Sequence, residues 1–287
     1  MVVICLKGGL GNQMFQIALG KKLEYLGKKV LFDINQIESR IDEHNITKSY
    51  EVFDIDLDVA SSKDIDSMSD TNTDLYNKIR RKIFGCKKTH YFEKNFGDED
   101  KEIYSLSDAY LDGYWQSYKY FDDCSNIITD LFKFKPLTDD KNKYYEDKIL
   151  SCENPVSVHF RLGDYCTKEN IQYFGNICTE EYYSKGITFL QNKFNNVTFF
   201  IFSNDMKYAE RFLDKKNYCV VDCNDEKNAW KDMYLMSICK SNIVANSSFS
   251  WWGAWLNRNN NKTVIAPEKW INGRDMKNIC PDSWVRF

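Results

Sequence analysis

The chain has 287 residues, 43% hydrophobic and 28% charged, with a net charge of −3. That composition excludes a disordered chain, and the slight acidity argues against a general nucleic-acid binder, which shows a basic excess. The length exceeds what one small core needs and predicts two domains. Ten cysteines are scattered without a C-x-x-C pair, and only three histidines are present. The cysteines therefore read as reduced, small, mostly buried hydrophobes, with no metal centre expected. The N-terminus is too short in apolar residues for a signal peptide, and no apolar run approaches the roughly 20 residues of a membrane span. The expected location is the cytoplasm.

In chain order, Val2 to Leu6 read as a buried strand, followed by the turn Gly8-Gly9-Leu10-Gly11-Asn12-Gln13. From Asn12 the apolar positions Phe15, Leu19, Leu23 and Leu26 recur at helical spacing, and Val30 to Asp33 form a second strand. A glycine-rich turn that points at a helix N-terminus suits an anion or ligand. It is neither G-x-G-x-x-G nor a Walker loop, and a tight βα turn explains the glycines equally. Residues 36 to 108 read as loops with short helices. Within them Leu75, Ile79 and Ile83 make one stripe of a helix whose remainder is basic. Lys78, Arg80, Arg81 and Lys82 there offer peripheral contact with an anionic membrane, or simply a solvated face.

Ala109 to Gln116 read as a strand ending in a polar, aromatic tip, with Trp115 and Gln116 at its end and a helix from Phe121 to Phe132 beyond. Pro136 and the polar cluster after it mark a boundary. The expected layout is an N-terminal domain over 1–135, a linker over 136–154 and a C-terminal domain over 155–287. After Pro155, strands and helices alternate regularly, which implies a parallel, doubly wound sheet. Right-handed crossovers then gather the strand-end loops on one edge. Those loops carry His159, Arg161, Gly163 and Asp164, then Ser203 to Asp205, then the region of Asp222, then Asn246 to Gly253. Arg161 is a fixed, planar charge suited to phosphate oxygens, and Ser247, Ser248 and Ser250 surround a helix start that favours an anion. Together they describe a diphosphate site. Asp205 reads as a contact to a nucleobase or ribose, or as a helix N-cap.

The segments GGLGNQMFQIA, VHFRLGDY, FIFSND and DMYLMSICKSNIVANSSFSWWGAWL, in this order, resemble the motif set of the bacterial alpha-1,2-fucosyltransferases. The resemblance implies an α/β, GT-B-like fold with two Rossmann-like domains facing a cleft. It also implies a GDP-fucose donor, no metal requirement, and inverting transfer to the 2-hydroxyl of a terminal beta-galactoside on a surface-glycan precursor. Residue by residue, it implies that Arg161 holds the donor diphosphate and that His159 lines the guanosine end. Asp205 then contacts guanine or ribose, and Ser248, Phe249 and Ser250 lie beside the phosphates. Gly11, Asn12 and Gln13 reach across from the N-terminal domain, where Trp115 and Gln116 shape the acceptor side. Asn12 assists Arg161 in catalysis, and Asp164 is the candidate base. Many relatives carry a second Arg after the first; here it is Leu162, which leaves more phosphate charge to Arg161 and to backbone amides. The alternatives are transfer of another GDP-sugar, another linkage, or a non-catalytic nucleotide-sugar-binding module.

Overall fold

The computed structural model describes residues 1–39, 47–94, 96–212 and 216–287. It divides into two compact units, Met1–Lys133 and Phe134–Phe287. Both are α/β with parallel sheets, the fold class expected from the alternation of strands and helices. Among the described residues no helix is long and apolar enough to cross a membrane.

The first unit holds a sheet of β1 (Val2–Cys5), β2 (Val30–Asp33), β3 (His90–Phe92) and β4 (Ala109–Asp112), in the order β2-β1-β4-β3. β1 is buried along its whole length, as a central parallel strand must be. Helix α1 (Leu10–Tyr25) follows it and buries Met14, Phe15, Ile17, Ala18, Leu19 and Leu23. Opposite, Val3, Cys5, Leu31 and Tyr110 pack with Ala60, Ile65 and Met68. The segment expected as loops and short helices also contains β3, whose three residues are too few for an alternation to show. It includes the basic helix α2 (Leu75–Phe84), which none of its residues buries.

The second unit holds β5 (Asn154–Phe160), β6 (Val197–Ser203), β7 (Tyr218–Val220), β8 (Ser241–Ile243), β9 (Val264–Ala266) and β10 (Val285–Arg286). Their order is β10-β9-β8-β5-β6-β7. The two-residue period of a strand sorts its side chains into two cores. Val156, Val158, Phe160, Phe199 and Ile201 pack with Tyr182, Tyr183 and Leu190 around the helix Glu180–Lys193. Phe200 and Phe202 point the other way, among Leu137, Ile149, Leu235 and Met236.

The stretch 136–154, expected as a linker, carries helix α3 (Asp140–Ser151). Its Ile149 is fully buried with Phe200, and Asp139 caps its start by accepting from Asn142 N at 3.0 Å. Pro136 marks the approach to that helix, so the change of unit falls at Lys133, before it. The expected helix from Phe121 shortens to Ser125–Leu131 after two 3-10 turns.

Candidate functional site

In an open parallel sheet, ligands bind outside the carboxyl ends of the strands where the strand order reverses. In the second unit the chain runs outward from β5 through β6 to β7, then returns to β5's other side with β8. The reversal lies between β5 and β8. Arg161 leaves the end of β5, and Ser247 and helix α4 (Ser248–Trp255) follow β8. The topology thus brings the expected arginine and the expected serine-rich helix start to one switch point.

The loop after β5 is held from both neighbours. Leu162 N donates to Asn204 Oδ1 at 2.9 Å, and Tyr165 Oη donates to Asn246 O at 3.0 Å. Tyr165 also presents its ring 5.5 Å from the Arg161 guanidinium carbon, a cation–π contact that orients the fork. Gly163 has φ +23, and a Cβ there would meet Asn204 Nδ2 at 2.5 Å, so only glycine lets the loop close against Asn204. Asp164 lies on the turn Gly163–Cys166; its side chain is outside the described residues.

His159 is buried, with its ring 5.6 Å from that of Phe249. Burial, reinforced by the charge of Arg161, pulls its pKa down to about 3, so the imidazole is neutral at working pH. Its Nδ1 is buried without a hydrogen-bond partner, although buried polar atoms are normally paired. Phe249 packs against the core that holds Phe202, Leu235 and Met236.

Ser250 is buried; its hydroxyl accepts from Ala245 N at 3.2 Å, tying helix α4 to the end of β8. Ser247 is the N-cap and makes no side-chain cap bond. First-turn amides of a helix have no intrahelical carbonyl, so this end attracts negative charge. The other end is closed by Lys262, whose ammonium donates to the carbonyls of Ala254, Trp255 and Asn257 at 2.9, 3.1 and 2.7 Å. Asp205 caps the short helix Met206–Ala209 through Oδ1, accepting from Tyr208 N at 3.1 Å.

The first unit repeats the topological pattern. Its strand order reverses between β1 and β4, and Gln116 Nε2, after β4, donates at 2.7 Å to Asn12 Oδ1 in the first turn of α1, which follows β1. Gly8 has φ +80, and a Cβ on it would sit 2.6 Å from Asn12 Nδ2. Gly11 is buried in the first turn of α1. Gln13 is fully buried, and its amide is engaged within the unit: it donates to Gly8 O and Thr47 O, both at 3.0 Å, and accepts from Ser49 N at 2.9 Å. The structure thus gives Gln13 the work of shaping the loop.

Trp115, expected at the acceptor side, is fully buried against Tyr120. The aromatic tip of β4 folds inward. Its backbone sits at φ +55, and the Glu93 carboxylate accepts from both Tyr114 N, at 2.7 Å, and Trp115 N, at 3.1 Å. The outlier leaves Gln116 at the tip, facing Asn12. Held, strained backbone of this kind collects at functional sites.

Two features escaped the sequence reading. Asp232, in the first turn of the helix Ala229–Ser237 after β7, accepts from Asn224 Nδ2 at 2.6 Å. Burial pushes its pKa up to about 7 against that bond; a strongly shifted carboxyl at a sheet edge is a site candidate. In the sequence it opens the segment DMYLMSICKSNIVANSSFSWWGAWL, at a helix start, and drew no role of its own. In the first unit Lys7 pairs with Asp112, whose other oxygen lies 3.3 Å from His90 Nε2. Burial alone would raise Asp112, but His90 and Lys7 hold its pKa below the usual carboxylate value.

His159 and Asp232 make opposite demands on stability. Between pH 6.5 and about 3 the unfolded chain protonates His159 and the folded one does not. The unfolded state then binds more protons, so the contribution of His159 falls as the pH drops. Between pH 3.8 and about 7 the folded chain keeps Asp232 protonated and the unfolded one does not. The contribution of Asp232 therefore falls as the pH rises. His159→Gln is expected to leave stability that climbs towards acid across this window relative to the parent, and Asp232→Asn stability that drops. Urea midpoints at either end of the window check both.

The sequence model of Glycosyl transferase family 11 matches residues 1–286. The chain belongs to that family. This family 11 protein is therefore a glycosyltransferase. Among its relatives is an O-antigen biosynthesis glycosyltransferase, WbnK, of Escherichia coli, 32% identical over 99% of both chains. An alpha-1,2-colitosyltransferase of Escherichia coli is also 32% identical, over 100% of this chain and 99% of its own. In structure, the family 11 chain superimposes on a mutant of Arabidopsis thaliana FUT1 in complex with GDP with a TM-score of 0.51. The match covers 98% of this chain and 72% of the other, at 13% identity. That likeness shows a shared GT-B-like fold of two Rossmann-like units.

Proposed function

We propose that this glycosyltransferase moves L-fucose from GDP-beta-L-fucose to the 2-hydroxyl of a terminal beta-galactoside, inverting the anomeric carbon to form an alpha-1,2 linkage. The acceptor belongs to a bacterial surface glycan, as the O-antigen role named for a relative suggests. The observation that carries the donor reading is the meeting of Arg161 and the α4 helix start at the β5–β8 switch point.

In the reaction the bond from fucose C1 to the β-phosphate oxygen breaks, and its electron pair leaves with GDP. The acceptor oxygen forms the new bond to C1 from the opposite face and gives up its proton. The transition state has oxocarbenium character at C1 and growing negative charge on the diphosphate. Fixed donors aimed at that charge stabilise it most; Arg161 and the first-turn amides near Ser248 supply them. His159 lines the guanosine end, where its neutral ring nitrogen meets a ligand atom, with Phe249 beside it. Guanine presents N1–H and N2–H as adjacent donors, which suit an ionised carboxylate; Asp232 takes that part on giving up the proton that burial favours, and Asp205 a ribose contact. From the first unit, Asn12 and Gln116 address the transferring sugar and the acceptor. Asp164 is the carboxylate that takes the acceptor's proton. No step calls for a metal.

The colitosyltransferase relative favours a second reading, transfer of colitose, which is fucose without its 3-hydroxyl. The deciding experiment follows release of GDP or UDP from a panel of GDP- and UDP-sugars, with and without lactose, in EDTA. The expected result is lactose-stimulated turnover of GDP-fucose, undiminished by EDTA and at least about tenfold faster than GDP-colitose, as a pocket that bonds the hydroxyl requires. Faster GDP-colitose turnover makes the second reading correct. Turnover of UDP-sugars alone overturns both.

A further inference from the structure

Helix α2 is amphipathic, but its apolar side faces outward. At about 100° per residue, Leu75, Tyr76, Ile79 and Ile83 share one side. Their exposures are 75%, 75%, 50% and 66%, and Phe84, at the helix end, is 78% exposed. The opposite side carries the links to the rest of the unit. Arg80 pairs with Asp70, and Arg81 Nη1 donates to Asp70 O at 2.9 Å and Asn72 O at 2.7 Å. Beyond the helix, Lys87 Nζ donates to Ser69 O at 2.9 Å and Lys87 N to Asp70 Oδ2 at 2.7 Å. A surface helix ordinarily turns its apolar stripe to the core. This one is fastened by its cations with the stripe outward.

These bonds revise the sequence reading of the basic cluster. Arg80 and Arg81 are anchors, whereas Lys78 and Lys82 are exposed along the edge of the stripe, and Lys88 is exposed beyond it. From Leu75 to Lys88 the chain has six basic residues and no acidic one, although its net charge is −3.

We propose that this face docks on an anionic lipid bilayer. Ten residues span only about 15 Å along the helix axis, so the helix lies in the plane of the surface. Leu75, Ile79 and Ile83 enter the acyl boundary, and Tyr76 sits at the headgroup level, where aromatic rings concentrate. Lys78, Lys82 and Lys88 reach back along the stripe to lipid phosphates. The charge selects this occupant over a second copy of the chain. Two such faces in contact would bring like charges together, while an anionic surface complements them. The reading is independent of which sugar is transferred.

The test is flotation of the full chain with vesicles of phosphatidylcholine alone or doped with phosphatidylglycerol. The expected result is flotation with the doped vesicles only, released by salt. Ile79→Asp combined with Ile83→Asp abolishes it, and Lys78→Glu with Lys82→Glu weakens it by about five-fold or more per lysine. Both variants keep the parent's circular dichroism and its turnover on a soluble acceptor, since none of the proposed site residues lies on the helix. Failure of the parent to float with doped vesicles overturns the proposal. So does equal flotation with phosphatidylcholine alone, or an aspartate variant that floats like the parent. A dimer in light scattering that the aspartate pair splits, without vesicle binding, assigns the face to a second copy instead.

Discussion

Arg161→Ala is expected to lower kcat by about 10²–10³, the usual loss when one preorganised donor to developing negative charge is removed. The size follows from the local arrangement. The next residue is Leu162 rather than a second arginine, so more of the proposed phosphate contact falls to Arg161 itself. Arg161→Lys is expected to recover little, because a point charge lacks the planar fork and the stacking on Tyr165 that sets its direction. Steady-state kinetics with GDP-fucose measures the loss, and a GDP titration separates binding from catalysis. The ground-state diphosphate is already charged, so GDP affinity drops too, but less than kcat. Near-normal turnover in the alanine variant would place the diphosphate elsewhere.

The second large effect is expected in the first unit. Asn12→Ala lowers kcat by about 10² with little change in GDP affinity, because the nucleotide is assigned to the other unit. Gln116→Ala costs roughly tenfold, and the double variant costs no more than Asn12→Ala alone. Residues that act through one hydrogen bond are not additive, and the 2.7 Å bond from Gln116 Nε2 is what aims Asn12. Gly8→Ala tests the same geometry from the backbone. Its φ of +80 and the 2.6 Å approach of a Cβ to Asn12 Nδ2 push Asn12 aside, so kcat falls while GDP still binds. Additive losses in the double variant would break the link between the two side chains.

Most of the second unit was legible in the sequence because its strands are central and buried on both faces. Runs such as Val197-Thr198-Phe199-Phe200-Ile201-Phe202 can hardly do anything else. The switch-point loops stood out for the same reason, as abrupt polar stretches after apolar runs. Shorter or edge elements carried no such signal: β3 has three residues and β10 two. Helix α3 was hidden because it is mostly polar and enters the core chiefly through Ile149. The burial of Trp115 was not legible because composition cannot say whether an aromatic at a strand tip turns inward. Its positive φ, held by Glu93, a residue distant in the chain, decided it. Asp232, although it opens a quoted motif, drew no role because burial, which shifts its pKa, is a property of the folded unit alone.

The tryptophans have a practical consequence. Of the seven in the chain, only Trp115 belongs to the first unit. Trp251, Trp252, Trp255 and Trp284 are neighbours in the second, with Trp251 ring centroids 4.9, 6.0 and 5.5 Å from the other three. Indole emission therefore watches the second unit almost exclusively. Far-ultraviolet dichroism watches both. If the two units melt independently, the two signals will trace different curves, and a nucleotide that binds the second unit will displace the indole curve first. The chain thus carries its own optical label on one half, and the energetic coupling between its halves is readable without attaching a dye.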